Sequence, residues 1–120
     1  MYIILLAGGD GKLENDDCPK QFSTVGYQSK LQEKLSMFSK HRTIISTALK
    51  HKPYIVTQVD YYDKYISYEP WRRDTYSAVL LASYFLRDIM DCPLEETVAV
   101  IPVTEDIETK HLTTTKIITK

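Results

Sequence analysis

The chain has 120 residues, of which 43% are hydrophobic, and its 15 basic and 16 acidic residues leave a net charge of -1. This length suits one domain with one hydrophobic core, so we expect residues 1–120 to form a single unit. The balanced charge gives no broad basic surface for nucleic acid. The N-terminal apolar run is too short to cross a membrane and lacks a charged segment before it, which argues against a signal peptide. Cys18 and Cys92 have no metal-site spacing, and this favours reduced thiols in a cytoplasmic protein.

Apolar strand-like runs alternate along the chain with segments of helical periodicity. The predicted strands are 2–6, 43–46, 65–68 and 97–101, and the predicted helices are 29–39, with Ser29 as its N-cap, and 76–90. Alternation of this kind is typical of a parallel sheet covered by helices. The sequence therefore predicts an α/β, Rossmann-like, three-layer fold with a mostly parallel sheet of about four strands. Right-handed crossovers give the strand order 3-2-1-4, with any ligand over the carboxyl ends of the strands.

The first predicted strand ends in a glycine-rich loop, Ala7-Gly8-Gly9-Asp10-Gly11-Lys12. Glycines permit positive φ and let a ligand approach the backbone amides closely. Successive N–H groups can then hold a phosphate, to which a lysine adds a point charge. The spacing matches neither a P-loop nor the dinucleotide-binding fingerprint. Taken alone, the loop therefore fits a phosphate site and a tight turn without a ligand equally well.

Three blocks of sequence carry a resemblance to a known family. The first is the glycine loop followed by Pro19-Lys20-Gln21-Phe22, the second is Glu69-Pro70-Trp71-Arg72-Arg73-Asp74-Thr75, and the third is the apolar run 98–103. In this order the blocks resemble the N-terminal part of the sugar-1-phosphate nucleotidyltransferases, and the mannose-1-phosphate guanylyltransferases most closely. The resemblance implies the nucleotide-binding half of such a domain, which joins a sugar 1-phosphate to a nucleoside triphosphate with release of pyrophosphate. It implies Mg²⁺ as the cofactor and GTP as a candidate nucleotide.

The resemblance also implies which residues form the site. Lys12 and Lys20 would be catalytic, since lysines near a triphosphate offset the charge that develops during phosphoryl transfer. The residues implied to bind the nucleotide are Leu6, Ala7, Gly8, Gly9, Gly11, Glu69, Arg73, Asp74 and Thr75. Asp74 and Thr75 equally suit a cap for the helix that follows them.

The segment 53–57 is ambiguous between a strand and a helix. Its β-branched and aromatic residues favour a strand. Pro53 suits the first turn of a helix, and the spacing around it resembles the second helix of the family. We favour the helix.

The sequence departs from the family pattern at three places. Leu13 and a run of acidic residues follow Lys12, so the arginine of the family's loop is absent. Thr104 stands where the family has a metal-binding aspartate, and a neutral hydroxyl is a poor ligand for Mg²⁺. The sequence ends at Lys120, before the part of the family that binds the sugar.

These departures leave alternatives to a complete enzyme. One is a catalytically inactive, truncated homologue that acts as a binding or interaction module. An uncovered sheet edge would then favour self-association or a partner chain. Another is that the chain is an incomplete product of a longer reading frame. The three histidines, including His51, have no zinc-site spacing and are expected at the surface.

Overall fold

The computed structural model describes residues 1–12, 17–59, 65–70, 75–93, 95–104 and 113–116. The strands are β1 (Tyr2–Leu6), β2 (Thr24–Val25), β3 (Gln28–Ser29), β4 (Arg42–Ala48), β5 (Tyr65–Glu69), β6 (Thr97–Pro102) and β7 (Thr113–Lys116). The helices are α1 (Lys30–Met37), α2 (Lys52–Gln58) and α3 (Thr75–Asp88), and a short 3₁₀ helix, Leu49–His51, directly precedes α2.

Five strands form the main sheet in the order β5-β4-β1-β6-β7. The first four are the four predicted strands, and all of their pairings are parallel. β7 pairs antiparallel with β6 and was not predicted, nor was the hairpin β2-β3, whose turn contains Gly26 with a φ of 80°. The four predicted strands lie in the predicted order 3-2-1-4, which becomes β5-β4-β1-β6 when the hairpin strands are numbered as well. The α/β Rossmann-like fold class is confirmed.

Helices cover both faces of the sheet and create two hydrophobic cores. On the face of α1 and α2, the buried residues include Ile3, Leu5, Phe22, Leu31, Ile45 and Ile55. On the face of α3, they include Tyr2, Ile4, Ile44, Ala82, Leu86 and Val98. Alternate residues of β1 enter the two cores, which explains why this strand is an unbroken apolar run.

Local sequence accounts for the helix boundaries. Ser29 caps α1 through a capping box, in which its hydroxyl accepts from the Gln32 amide and the Gln32 side chain accepts from the Ser29 amide. Pro53 lies in the first turn of α2, where the missing N–H costs nothing, so the prediction of a helix at 53–57 is confirmed. No helix in the part of the chain that is described is long and apolar enough to cross a membrane.

Candidate functional site

The glycine loop lies at the carboxyl edge of the parallel sheet, directly after the central strand β1. The Ala7 amide donates to the Ser46 carbonyl of β4 at 2.7 Å, and the Val103 amide donates to the Leu6 carbonyl at 3.0 Å. These bonds continue the hydrogen bonding of the sheet on both sides of β1. The base of the loop is therefore held by both neighbouring strands, at the edge where parallel α/β sheets bind ligands.

The side chain of Gln21 orients the loop through hydrogen bonds to its backbone. Its amide nitrogen donates to the carbonyl oxygens of Ala7 and Gly9, both at 2.8 Å, and Gln21 is only 1% exposed. The Ala7 carbonyl also accepts from the Thr47 hydroxyl at 2.8 Å. One buried amide thus uses both of its donors to orient two peptide groups of the loop.

This orientation turns backbone N–H groups away from Gln21. In a trans peptide, the C=O of one residue and the N–H of the next point in opposite directions. No peptide bond among the described residues is cis. Because the carbonyls of Ala7 and Gly9 point at Gln21, the N–H groups of Gly8 and Asp10 point to the opposite side of the loop.

The loop glycines contribute open space and no unusual backbone conformation. Among the described glycines, only Gly26 has a positive φ, so Gly8, Gly9 and Gly11 do not use the positive φ that glycine permits. A methyl group added to Gly9 would meet no atom within 4 Å. The value of glycine at this position is therefore the access it leaves to the backbone.

Lys12 ends the glycine loop, and Lys20 lies beside it. The Lys20 amide donates to the Gly11 carbonyl at 2.8 Å, and Lys12 forms an isolated antiparallel bridge with Pro19. A methyl group on Gly11 would lie 3.6 Å from Cε and 3.8 Å from Nζ of Lys20. The ammonium of Lys20 is therefore close to the backbone of the loop, and both lysines are exposed.

The turn that carries Lys20 and Gln21 is bonded to two helices. The Leu31 amide at the start of α1 donates to the Gln21 carbonyl at 3.1 Å. The side chain of Gln58 in α2 makes two further bonds. Its Nε2 donates to the Phe22 carbonyl at 2.9 Å, and its Oε1 accepts from the Ser29 hydroxyl at 2.6 Å. The position of Gln21 under the loop is therefore set by the packing of α1 and α2.

A charged cluster lies on the β4 side of the loop. One oxygen of Asp10, Oδ1, lies 2.9 Å from Lys50 Nζ and 3.1 Å from His51 Nε2. His51 Nδ1 lies 3.4 Å from the hydroxyl of Thr47, which donates to the Ala7 carbonyl. The His51 ring therefore lies between the Asp10 carboxylate and the Thr47 hydroxyl, and it links the β4 side of the loop to the hydroxyl that bonds the Ala7 carbonyl.

His51 is buried, contrary to the prediction of a surface position. It is 3% exposed, and its ring makes an edge contact with Phe22 at a centroid distance of 5.4 Å. Phe22 in turn stacks on Tyr54 at 5.0 Å. The histidine is buried because polar partners at both ring nitrogens satisfy it while aromatic rings cover its faces.

The second predicted group of site residues lies farther along the same edge. Glu69 ends β5 and is 7% exposed, and its register partner is Ala48 of β4. Because β4 separates β5 from β1, Glu69 lies two strands from the glycine loop, roughly 10 Å away. Thr75 is the first residue of α3. Arg73 and Asp74 lie outside the described residues, as do Glu14 and Asp16 of the acidic run after Lys12, whereas Asp17 is described and exposed.

The described residues do not fit a Mg²⁺ site built by the protein. No group of three or more His, Cys, Asp or Glu side chains within them could hold a metal ion. Thr104 lies in the turn after β6, while its neighbours Glu105 and Asp106 lie outside the described part. We therefore assign no chemical step to a protein-bound metal.

Sequence reasoning missed four residues that shape this site, namely Asp10, Gln21, Lys50 and His51. Gln21 belongs to the Pro19-Lys20-Gln21-Phe22 block, whose resemblance implies a role for the lysine only. Asp10 is the one acidic residue inside the glycine loop, and this was an available signal. Lys50 and His51 are brought to the loop by the parallel pairing of β1 with β4, which no local pattern reveals.

The sequence matches no protein-family model and no curated protein sequence. The structure is similar to the crystal structure of 4-diphosphocytidyl-2C-methyl-D-erythritol synthase, with a TM-score of 0.59 and 13% sequence identity. The match covers 85% of this chain and 45% of the synthase chain, so this chain spans about half the length of that enzyme. The likeness establishes that this chain has an α/β, Rossmann-like fold in common with that synthase.

Proposed function

We propose that the chain is a nucleotide-binding domain of the sugar-1-phosphate nucleotidyltransferase type, similar to mannose-1-phosphate guanylyltransferase. Its glycine loop would hold the phosphates of a nucleoside triphosphate, with GTP as the first candidate. Both the resemblance of the sequence blocks and the fold shared with a nucleotidyltransferase support this assignment. The free thiols of Cys18 and Cys92 are consistent with a cytoplasmic location.

The observation that carries the proposal is the orientation of the loop by Gln21. Two loop carbonyls are drawn toward one buried amide, so that the N–H groups of Gly8 and Asp10 face the other way. Backbone N–H groups held in this manner, beside an open glycine and an exposed lysine, form an environment suited to a phosphate. Lys20 would then contact nonbridging phosphate oxygens from its place beside Gly11.

The corresponding reaction would be an in-line displacement at the α-phosphorus. An oxygen of the sugar 1-phosphate would form the new P–O bond, and the bond to the β-phosphate would break, so that pyrophosphate leaves. The residues of this chain would contribute positioning and positive charge, which are the main needs of phosphoryl transfer. Lys12 and Lys20 are the proposed contributors of charge.

A second candidate function is nucleotide binding without turnover. It is favoured by Thr104, a neutral residue at the position where the resemblance places a metal-binding aspartate. In that case the chain would act as a binding or interaction module. Both candidates share the phosphate-binding loop and differ in the release of pyrophosphate.

A calorimetric titration with GTP tests the shared step, with wild-type protein, Lys20→Ala and Lys40→Ala compared in the same Mg²⁺-containing buffer. Lys40→Ala is the control because it removes the same charge from a different place. Lys40 lies between α1 and β4, at the amino end of the sheet and away from the glycine loop. We expect saturable binding that Lys20→Ala weakens about tenfold, the loss of one charged hydrogen bond, and that Lys40→Ala leaves unchanged. Absence of heat up to millimolar GTP refutes the proposal.

An assay of pyrophosphate release then separates the two candidates. Wild-type protein is incubated with GTP and mannose 1-phosphate, and ATP, CTP and glucose 1-phosphate serve as alternative substrates. Pyrophosphate formed only in the presence of a sugar 1-phosphate supports the enzyme. Saturable nucleotide binding without pyrophosphate supports the binding module.

A further inference from the structure

Lys50 brings a positive charge to the glycine loop from a neighbouring strand. It lies in the 3₁₀ helix Leu49–His51, which directly follows β4. Because β4 and β1 are parallel and adjacent, the segments that follow them emerge at the same edge of the sheet. The Lys50 ammonium thereby reaches Asp10, which lies between Gly9 and Gly11 in the loop, at 2.9 Å.

The two basic partners of Asp10 differ in their freedom to move. The side chain of His51 is 4% exposed and is packed against Phe22, whereas the side chain of Lys50 is 61% exposed. Lysine carries its charge on a flexible stem with three rotatable donors, so it can change partner at small cost. The contact of His51 with Asp10 can therefore persist when Lys50 turns away.

The stability of the fold does not explain this arrangement. An ion pair between a lysine and a carboxylate that are both well exposed contributes little to stability. A carboxylate inside a loop meant for phosphate would also repel that phosphate unless a cation neutralised it. Lys50 is the exposed cation on this carboxylate, and the contact of buried His51 Nε2 with the same oxygen can hold Asp10 while Lys50 turns toward a ligand.

We propose that Lys50 is a phosphate-binding residue of the glycine loop. Its ammonium pairs with Asp10 when no ligand is bound, and it exchanges Asp10 for phosphate oxygens when a polyphosphate ligand binds. Lys50 would supply the positive charge that the family's loop arginine supplies, and that Leu13 cannot. This inference rests on the proposed function and adds to it a residue and an order of events. When the ligand binds, Asp10 stays with His51 while Lys50 moves to the phosphate oxygens.

Binding measurements on Lys50→Ala and Lys50→Arg test the role of the lysine. The probes are GTP and inorganic tripolyphosphate, titrated by calorimetry. We expect Lys50→Ala to weaken the binding of both probes about tenfold, because one charge-assisted hydrogen bond is lost, and Lys50→Arg to stay within about threefold of wild type. Equal losses for the two probes place the contact on the phosphates.

Lys52→Ala is the matched control. Lys52 lies two residues away and carries the same charge, but its ammonium lies over the ring of Tyr68 at 6.0 Å from the centroid. We expect this variant to bind both probes as wild type does. An equal loss in Lys52→Ala and Lys50→Ala would mean that net charge alone matters, and it would overturn the inference.

Asp10→Asn tests the competition. The change removes one negative charge from the loop and releases Lys50, so we expect it to tighten tripolyphosphate binding about threefold. Weaker binding of this variant would overturn the holding role of Asp10.

The outcomes separate this inference from the proposed function. If wild-type protein binds and Lys20→Ala is weakened while Lys50→Ala is not, the inference about Lys50 fails and the proposed function stands. If wild-type protein binds neither probe, the proposed function fails and Lys50 has no phosphate to contact. Thermal unfolding of each variant checks its folding, and Lys50→Gln replaces Lys50→Ala if the latter does not fold.

Discussion

Replacement of Gln21 by glutamate should make the stability of the protein depend strongly on pH. The glutamine amide donates to two carbonyl oxygens at 2.8 Å, and the side chain is 1% exposed. A carboxylate at this place has no hydrogen to donate, so Gln21→Glu must protonate the introduced carboxyl to keep even one of the two bonds. Burial and the facing carbonyl oxygens therefore raise the pKa of that carboxyl above its value of about 4.3 in the unfolded chain.

The size of the effect follows from the same contacts. Below about pH 4.3 the protonated carboxyl keeps one bond and the variant loses about 1 kcal/mol. Between that pH and the raised pKa, the free energy of unfolding falls by about 1.4 kcal/mol per pH unit, since the folded state holds a proton that the unfolded chain releases. At pH 7 the total loss reaches about 4–5 kcal/mol if the raised pKa lies near neutrality. Domains of this size are stable by about 5–15 kcal/mol, so the loss is measurable.

Gln21→Met is the matched control, because it keeps the length and burial of the side chain and cannot donate. Its loss of two hydrogen bonds costs about 2–3 kcal/mol, and this cost is independent of pH. Urea denaturation of the three proteins at pH 4 and pH 7 should show Gln21→Glu as the more stable variant at pH 4 and the less stable at pH 7. If the two variants keep the same order at both values, Gln21 does not hold the loop as described.

Three further predictions concern the support of the site. Ser29→Ala removes the capping box of α1 and should lower the free energy of unfolding by about 1 kcal/mol in urea denaturation, whereas an unchanged midpoint would contradict the cap. Phe22→Ala removes a buried ring that stacks on Tyr54 and should cost about 3–5 kcal/mol by the same measurement; a loss below about 1 kcal/mol would mean that the ring is not packed. Burial raises the pKa of the Cys92 thiol, so its native modification by a thiol reagent at pH 7.5 should be slower than that of the half-buried Cys18. Equal modification rates of the two thiols would refute the burial argument. The same shift means that the free energy of unfolding falls as the pH rises above about 8.5, because the thiol of the unfolded chain ionises first.

The fold could be predicted because its strands are strong local signals. The apolar run 2–6 and the β-branched run 43–46 predicted β1 and β4, and Pro53 correctly favoured a helix over a strand. β7, which pairs with β6, was missed because Thr113–Lys116 is a polar sequence and lacks the apolar run that indicated β1 and β6.

The candidate site was predicted only where it is continuous in sequence. The glycine loop and Lys20 lie side by side in the structure, and both belong to the first sequence block. The contacts of Asp10 with Lys50 and His51 join residues some 40 positions apart, at 2.9 and 3.1 Å. Such contacts depend on which strands become neighbours, and this is decided by the whole sheet rather than by local spacing.

The hydrogen bonds of Gln58 have a consequence for how the protein opens. One side chain of α2 joins the Phe22 carbonyl to the Ser29 cap of α1, and the Leu31 amide of α1 is bonded to the Gln21 carbonyl. A fluctuation that frees Gln21 must therefore break bonds to both helices in the same event. In native-state hydrogen exchange, the amides of Leu31, Phe22 and Val59 should belong to one cooperative unit with a common opening free energy. The glycine loop would then be lost together with α1 and α2, and could not unfold by itself.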